Sequence, residues 1–270
     1  MEGPKSFTGG VKGFEVLDLE EERTGNGEEN IPDGAIFGVK YQSVCINIPQ
    51  YLSFMLRRVK EEGTRVIKAS VDTSEGLEGV VKNSKRILME NDSSVKEADV
   101  FAVINCTGLG ARYFVGAEEA AKLFPIRGQT ILVKGEAAKA RTYVGFGEED
   151  ELVYVIPRPG SGTTILGGCK QVGNWSPEVD EELNRGIVER IKRWGFAEEL
   201  RTGKESGFEV VSYQLGLRPG RKGGARVEIE GVGDGKVDGV WIVHSYGHSG
   251  GGYQCSTGCG ERVAEIVAGL

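Results

Sequence analysis

The residues able to do chemistry gather at a few glycine-bordered corners of the sequence. The densest is His244-Ser245-Tyr246-Gly247-His248-Ser249-Gly250-Gly251-Gly252-Tyr253-Gln254. Three consecutive glycines remove the Cβ atoms that would hold a ligand off the backbone. A helix carrying Val263, Ala264, Ile266 and Val267 follows from near Gln254, and its free N–H groups and positive dipole end point back at the turn. Such a corner suits an anion or the electron-rich edge of a flat heterocycle; a tight structural turn is the alternative. Arg218 offers a different chemistry. An arginine that ends an apolar strand and is locked before Pro219 presents a rigid fork matching a carboxylate, with a surface ion pair as the plainer use. Thr107 and Gly108 end a third apolar stretch, where α/β proteins place ligands or simply turn from strand to helix. That stretch is not G-x-G-x-x-G, because Tyr113 occupies the third glycine position. Tyr154 lies on an apolar strand, where a buried phenol needs a partner for its hydroxyl.

Other chemistries find little support. His244 and His248 are four apart, but no Glu follows His244 and Gly247 interrupts any helix between them. Cys255 and Cys259 do not form C-x-x-C, and five cysteines without framework spacing read as reduced, intracellular thiols. No metal is expected. A net charge of −7 and a pI near 5.2 argue against a nucleic-acid partner. No apolar run approaches the ~20 residues of a membrane span, so no membrane partner is expected.

The elements that must position these corners follow from periodicity. Residues 1–33 read as a loop or frayed start. Residues 35–48, with Ile36, Val39, Val44, Ile46 and Ile48, read as one or two strands. Pro49 opens a helix with Tyr51, Leu52, Met55, Leu56 and Val59 on one face. A strand is expected over 65–71, a polar connector over 72–97 and an apolar strand over 98–105. Strands over 130–134, 152–156 and 163–168 flank an acidic loop at 135–150. Ser176-Pro177 is expected to cap a helix whose Val179, Leu183, Ile187, Ile191 and Trp194 form core. A strand over 210–217, a Gly-Asp-Gly loop at 233–235 and a strand over 240–243 complete the reading. The fold class is α/β with mixed α+β character: a mixed sheet beside a smaller α/β unit. No internal repeat is visible.

Five patterns occur in one order: Asn105-Cys106-Thr107-Gly108-Leu109-Gly110-Ala111; Pro125-Ile126-Arg127-Gly128-Gln129; Tyr154-Val155-Ile156-Pro157-Arg158; Gly216-Leu217-Arg218-Pro219-Gly220-Arg221; and the corner at 244–254. Together they resemble the D-amino-acid oxidases, especially the fungal type, over residues 30 to 268. Residues 168–175 and the stretch from Pro32 through Leu56 fit the same family. The resemblance implies a Rossmann-like FAD-binding domain interleaved with a mixed-sheet substrate domain. Residues 1–54 and 116–224 then fall to the substrate domain, and 55–115 and 225–270 to the FAD domain. Family members begin with a strand, a G-x-G-x-x-G turn and a helix that hold the ADP half of FAD, and no such pattern occurs here. The expectation is therefore a remnant of that FAD domain, either in a truncated product or in a relative that has lost tight flavin binding.

The implied activity is FAD-dependent oxidation of a neutral D-amino acid to the imino and then 2-oxo acid, with O2 becoming hydrogen peroxide. The alternatives are a catalytically silent fragment that cannot retain FAD, and a D-aspartate or glycine oxidase. By resemblance Arg218 fixes the substrate carboxylate, the Tyr154 hydroxyl touches it, and the Gly250 carbonyl meets the amine. Ser249, Gly250, Gly251, Gly252, Tyr253 and Gln254 would contact the isoalloxazine ring, with Thr107 and Gly108 as a second wall. Tyr143 is the candidate lid tyrosine, although its spacing to Tyr154 is not the family's. Arg221 and Arg226 are read as scaffold or surface, and His248 as a packed or solvent-facing side chain. Hydride transfer from Cα needs alignment more than an acid or base, which suits the lack of an obvious catalytic His or Glu. The partners are a small D-amino acid and O2; a homodimer stays open. The resemblance implies a peroxisomal location, but the terminal residues show none of the Ser-Lys-Leu-type signal that many members carry, so a cytoplasmic location is the other expectation.

Overall fold

The structure, a computed structural model, describes residues 11–24, 31–146, 151–203, 207–231 and 234–270. The first half contains β1 (Glu15–Val16), α1 (Leu19–Arg23), β2 (Val39–Lys40), α2 (Ile48–Glu61), α3 (Gly76–Asn91), β3 (Ala102–Asn105), α4 (Ala117–Ala120) and β4 (Leu123–Lys134). The second half contains β5 (Arg141–Val144), β6 (Glu151–Arg158), β7 (Thr163–Cys169), β8 (Gln171–Val172), α5 (Glu181–Arg193) and β9 (Val210–Arg221). It ends with β10 (Arg226–Ile229), β11 (Lys236–Val237), β12 (Val240–Tyr246) and α6 (Ser256–Ala268). The class is mixed α/β.

The chain divides into two units, Met1–Arg58, Gly128–Lys170 and Pro177–Leu215 forming the first, and Val59–Arg127, Gln171–Ser176 and Gly216–Leu270 the second. The division falls inside β4 and β9, at 127/128 and 215/216, against expected boundaries at 115/116 and 224/225. In the sheet ordered β5-β6-β7-β4-β8, β9 also pairs with β4. Lys134 N–H donates to the Glu209 carbonyl and Lys222 N–H to the Lys122 carbonyl, so these two long strands run antiparallel.

In the first unit, alternating apolar residues of β4, β6 and β7 and the face of α5 make the core: Ile131, Val133, Val153, Val155, Leu166, Ile187 and Ile191, with Phe196 and Phe208. α5 forms because Leu183, Ile187 and Ile191 recur every four residues. Asp180 caps it, accepting from the Leu183 N–H at 2.9 Å. Glu181 and Glu182 at its start and Arg190, Lys192 and Arg193 at its end complement its dipole. The cap is thus Asp180 rather than Ser176-Pro177. Val179, expected in the core, is 42% exposed because it precedes the helix.

In the second unit β12 is the central strand of a four-stranded sheet. β3 runs parallel along one edge, His244 opposite Asn105, and β10 and β11 run antiparallel along the other. Val81 of α3 packs with Val240 and Ile242, while Ala111, Phe114, Val115, Leu123 and Tyr246 form a second cluster.

Several expectations are corrected. Only β2 forms in 35–48: Ile36 is 94% exposed and Val44 80%, so the β-branched run has no sheet surface to cover it. α2 forms as expected, but Leu52, Met55, Leu56 and Val59 stay largely exposed. Residues 65–71 form no strand. The connector at 72–97 contains α3, sixteen residues long, whose Gly76 and Gly79 hide the helical period in the sequence. The strand expected over 98–105 shrinks to β3, preceded by a 3-10 turn at Glu97–Asp99. The loop at 135–150 holds β5, paired with β6; residues 147–150 lie outside the described residues. So do residues 1–10 and 25–30 of the expected N-terminal loop, within which 11–24 include β1 and α1, and Gly233 of the Gly-Asp-Gly loop.

Candidate functional site

The second unit brings three predicted stretches together. β9 continues through Arg218 and Pro219 to Arg221 instead of stopping at Leu217. The turn after β3 lies against it: a Cβ added to Gly108 would stand 3.8 Å from Pro219 Cβ. The glycine corner after β12 lies against it too, since a Cβ on Gly250 would stand 3.9 Å from Arg218 Cδ. Arg218 is half-buried and Gly250 is open to solvent. The corner itself starts with a forced backbone. Gly247 has φ +83°, and a Cβ there would come within 2.8 Å of Arg221 Cβ, so no other residue fits. Ser249 opens a 3-10 turn, Ser249–Gly251, with φ +51°, which is uncommon for a residue with a side chain.

The corner fits a flat polar ligand in two further ways. His248 Nε2 is buried and makes no hydrogen bond among the described residues, a condition that costs free energy unless a bound group pairs with it. α6 begins at Ser256 with Cys255 as N-cap and no side-chain cap, leaving its first N–H groups to whatever lies beyond them. Gly252, Tyr253 and Gln254, between these features, are exposed. Sequence reasoning set His248 aside; no local pattern marks a histidine whose outer nitrogen is sealed but unpartnered.

Thr107 is held differently. Asn105 Oδ1 accepts from the Thr107 N–H at 3.1 Å and from its hydroxyl at 2.8 Å. Behind Asn105 runs a buried polar chain that the sequence did not reveal. Asn105 Nδ2 is 3.1 Å from His244 Nδ1, and His244 Nε2 is 3.0 Å from Glu230 Oε2. Arg226 donates to Glu230, Glu228 and the Tyr246 hydroxyl. The Tyr246 hydroxyl donates to Glu119, which Arg221 grips with two N–H groups at 2.6 and 2.9 Å. The Arg221 fork holds the Glu119 carboxyl down at about 2 despite its burial. Burial, with Arg226 nearby, lowers the proton affinity of His244 more than Glu230 raises it. Burial also pushes the Glu230 carboxyl up, but the His244 hydrogen bond and the Arg226 charge outweigh it and leave the carboxyl below its ordinary range. Burial pushes the Tyr246 phenol up to about 12. Of the two readings open to Arg221 and Arg226, scaffold or surface, their bonds within this network fit scaffold.

Two predicted residues belong to the first unit. Tyr154, 8% exposed, sits on β6 opposite Gly167, just past a register shift in the β6–β7 ladder. Its ring lies on a glycine pair: a Cβ on Gly167 would meet Tyr154 Cζ at 2.1 Å, and one on Gly168 would meet the hydroxyl oxygen at 2.6 Å. Tyr143 lies on β5, its ring stacked on Phe146 at 4.8 Å and edge-on to Trp194 at 5.2 Å. The lid candidate is thus set in a strand and an aromatic cluster, not in a loop. Among the described residues no group of His, Cys, Asp or Glu is arranged to hold a metal ion, and all five cysteines are free.

The chain is 34% identical over 253 residues to a D-amino-acid oxidase of Fusarium vanettenii, covering 92% of this chain and 64% of that protein. It is 35% identical over 232 residues to a D-amino-acid oxidase of Schizosaccharomyces pombe, covering 86% and 60%. It is 31% identical over 254 residues to a D-aspartate oxidase of Talaromyces thermophilus, covering 94% and 58%. The chain thus spans about three-fifths of the length of these relatives. Residues 7–266 match the family described as FAD dependent oxidoreductase, DAO, and this chain belongs to that family.

Proposed function

We propose that the chain serves the FAD-dependent oxidation of a D-amino acid to its imino acid, with Arg218 anchoring the substrate carboxylate. The observation that carries this reading is the meeting of Arg218 and Pro219 with Gly108 on one side and Gly250 on the other. A guanidinium fork beside backbone stripped of Cβ atoms can hold a carboxylate and leave room for a flat ring. Thr107, Gly108 and residues 249–254 are the groups that would hold the isoalloxazine part of FAD, with His248 Nε2 as an unspent hydrogen-bonding atom beside them. Bound FAD supplies a two-electron acceptor for the hydride on Cα and passes the electrons to O2, giving hydrogen peroxide; water then converts the imine to the 2-oxo acid. Arg218 contributes orientation, fixing which face of Cα is presented. The unblocked first turn of α6 contributes N–H groups and a positive dipole end for negative charge.

Equilibrium dialysis of the 270-residue chain against FAD tests the reading, followed by a peroxide assay with D-alanine, D-aspartate and glycine. Micromolar retention and peroxide with D-alanine support it. Failure to retain FAD leaves the catalytically silent alternative. A preference for D-aspartate selects the second reading, which the D-aspartate oxidase relative favours. In a flavin-loaded chain, Arg218→Ala is expected to raise KM roughly 10- to 100-fold, the loss of hydrogen bonds to a charged group, with FAD affinity unchanged. Tyr154→Phe tests separately the hydroxyl contact implied by the resemblance.

A further inference from the structure

We propose that Asn105, His244 and Glu230 are positioning residues that hold the Thr107–Gly108 turn in the shape its ligand requires. The inference rests on the reading of that turn as part of a flavin site. It starts from donor and acceptor counts. Asn105 spends its carbonyl oxygen on two bonds from Thr107, one from the N–H and one from the hydroxyl. Its amide nitrogen therefore faces His244, whose Nδ1 must accept at 3.1 Å. The ring proton is then on Nε2, which donates to Glu230 at 3.0 Å, and Arg226 donates to the other oxygen of that carboxylate.

The chain of bonds has one direction only. The Glu230 carboxylate accepts and never donates, so it selects the His244 tautomer. The tautomer selects the orientation of the Asn105 amide, and the amide decides whether the Thr107 N–H has an acceptor and whether Thr107 is held by two bonds or by at most one. Nothing from solvent competes. His244 is fully buried, Asn105 is 5% exposed, and the Glu230 side chain is 10% exposed. The backbone registers the parts as well: His244 pairs with Asn105 across the parallel strands, and the Glu230 N–H donates to the Ile242 carbonyl.

Thr107 pays for this arrangement in its own turn. It is the N-cap of the 3-10 helix Gly108–Tyr113, a place where a threonine hydroxyl ordinarily caps the following N–H groups, yet it makes no such cap. The hydroxyl turns back to Asn105 instead. Gly108 follows with φ +59°, against Pro219. A turn wanted only for chain reversal would be served by the ordinary cap. One fixed from behind keeps its forward side clear.

The experiment uses the 270-residue chain and three variants. His244→Phe keeps a flat ring, somewhat larger, and removes both bonds, Thr107→Val removes the hydroxyl bond alone, and Val81→Ala loosens the same unit by a cavity in the cluster with Val240 and Ile242. Two quantities are read: hydrogen exchange at the Thr107 amide without ligand, and the FAD dissociation constant by flavin fluorescence. His244→Phe is expected to speed exchange and weaken FAD by about tenfold each, the effect of one buried hydrogen bond. Thr107→Val should act in the same direction and more weakly, and Val81→Ala should leave both quantities near the parent's. If His244→Phe does not fold, Thr107→Val decides. Unchanged exchange in the folded variants overturns the proposal, and so does FAD weakening that Val81→Ala reproduces. A parent chain without FAD affinity defeats the functional reading instead, while the exchange comparison still decides whether this triad holds the turn.

Discussion

In the first unit the largest sealed side chains are Ile131, Leu166, Ile187, Ile191 and Phe208, and its buried polar residues are the uncharged Asn47, Gln129, Thr164 and Asn184. In the second, Lys85, Asp92, Arg127, Arg226 and His244 are buried. Every buried Asp, Lys, Arg and His side chain among the described residues is therefore in the unit that carries Arg218 and the glycine corner. Apolar burial has no direction and scales with area. A buried ion network is directional, contributes little net stability, and is costly once one member is missing. The first unit should thus tolerate reshaping in proportion to volume. The second should respond to a single lost charge or proton.

That contrast can be broken by substitution. Ile191→Ala removes a fully buried side chain from the first core and is expected to cost about 2–5 kcal/mol, equally at pH 4 and pH 7. Hydrogen exchange resolved by unit measures it, and an acid-dependent loss in the first unit would erase the distinction. Glu119→Gln is the counterpart. It keeps volume but removes the carboxylate held by Arg221, Lys122 and Tyr246, at a cost of about 1–3 kcal/mol at pH 7. The sign of its pH dependence follows from the carboxyl's position. It lies at about 2 in the fold against an ordinary 4.5, so its contribution is complete above pH 4.5 and fades as pH falls toward 2. Urea unfolding at pH 7 and pH 3 should therefore give a smaller difference between parent and variant at pH 3. An equal difference at both would show that the network acts through shape alone.

The same contrast explains how much could be read beforehand. Strands β6, β7 and β12 and helix α5 were legible because their apolar residues repeat at the local period. α3 was not, since its glycines broke the pattern while tertiary packing of Val81 kept the helix. The β-branched run at 35–48 misled because propensity measures fitness for a half-buried surface, and none is supplied. At the site, Arg218 and the corner at 249–254 could be picked out by residue type and resemblance. Their meeting at Gly250 could not, because it depends on β9 running on through Pro219. The network was illegible in principle: Asn105 and His244 are 139 positions apart, Glu119 and Tyr246 127. His244 drew notice as the start of the corner pattern and for a metal spacing it does not satisfy, not as a partner of Asn105.

The smallest effect tests the boundary where sequence and structure disagree within the apolar unit. The serine–proline pair at 176–177 looked like the start of α5, but the helix begins four residues later and the side chain that accepts from its first turn is Asp180. Asp180 also connects the helix to the sheet, because its N–H donates to Gln129 Oε1 at 2.9 Å and its carbonyl accepts from Gln129 Nε2. Both of those bonds use backbone atoms and survive truncation. Asp180→Ala should therefore remove only the cap and its charge, about 1 kcal/mol, and Asp180→Asn only a few tenths, since Asn caps nearly as well. Ser176→Ala should cost less than Asp180→Ala, because it leaves in place both the α5 cap and the Ser176 carbonyl that Arg127 uses. Thermal unfolding of the three variants orders them. A Ser176 variant more damaging than the Asp180 one would move the helix start back to where periodicity had put it. It would also show that even the apolar unit hangs on one directional bond.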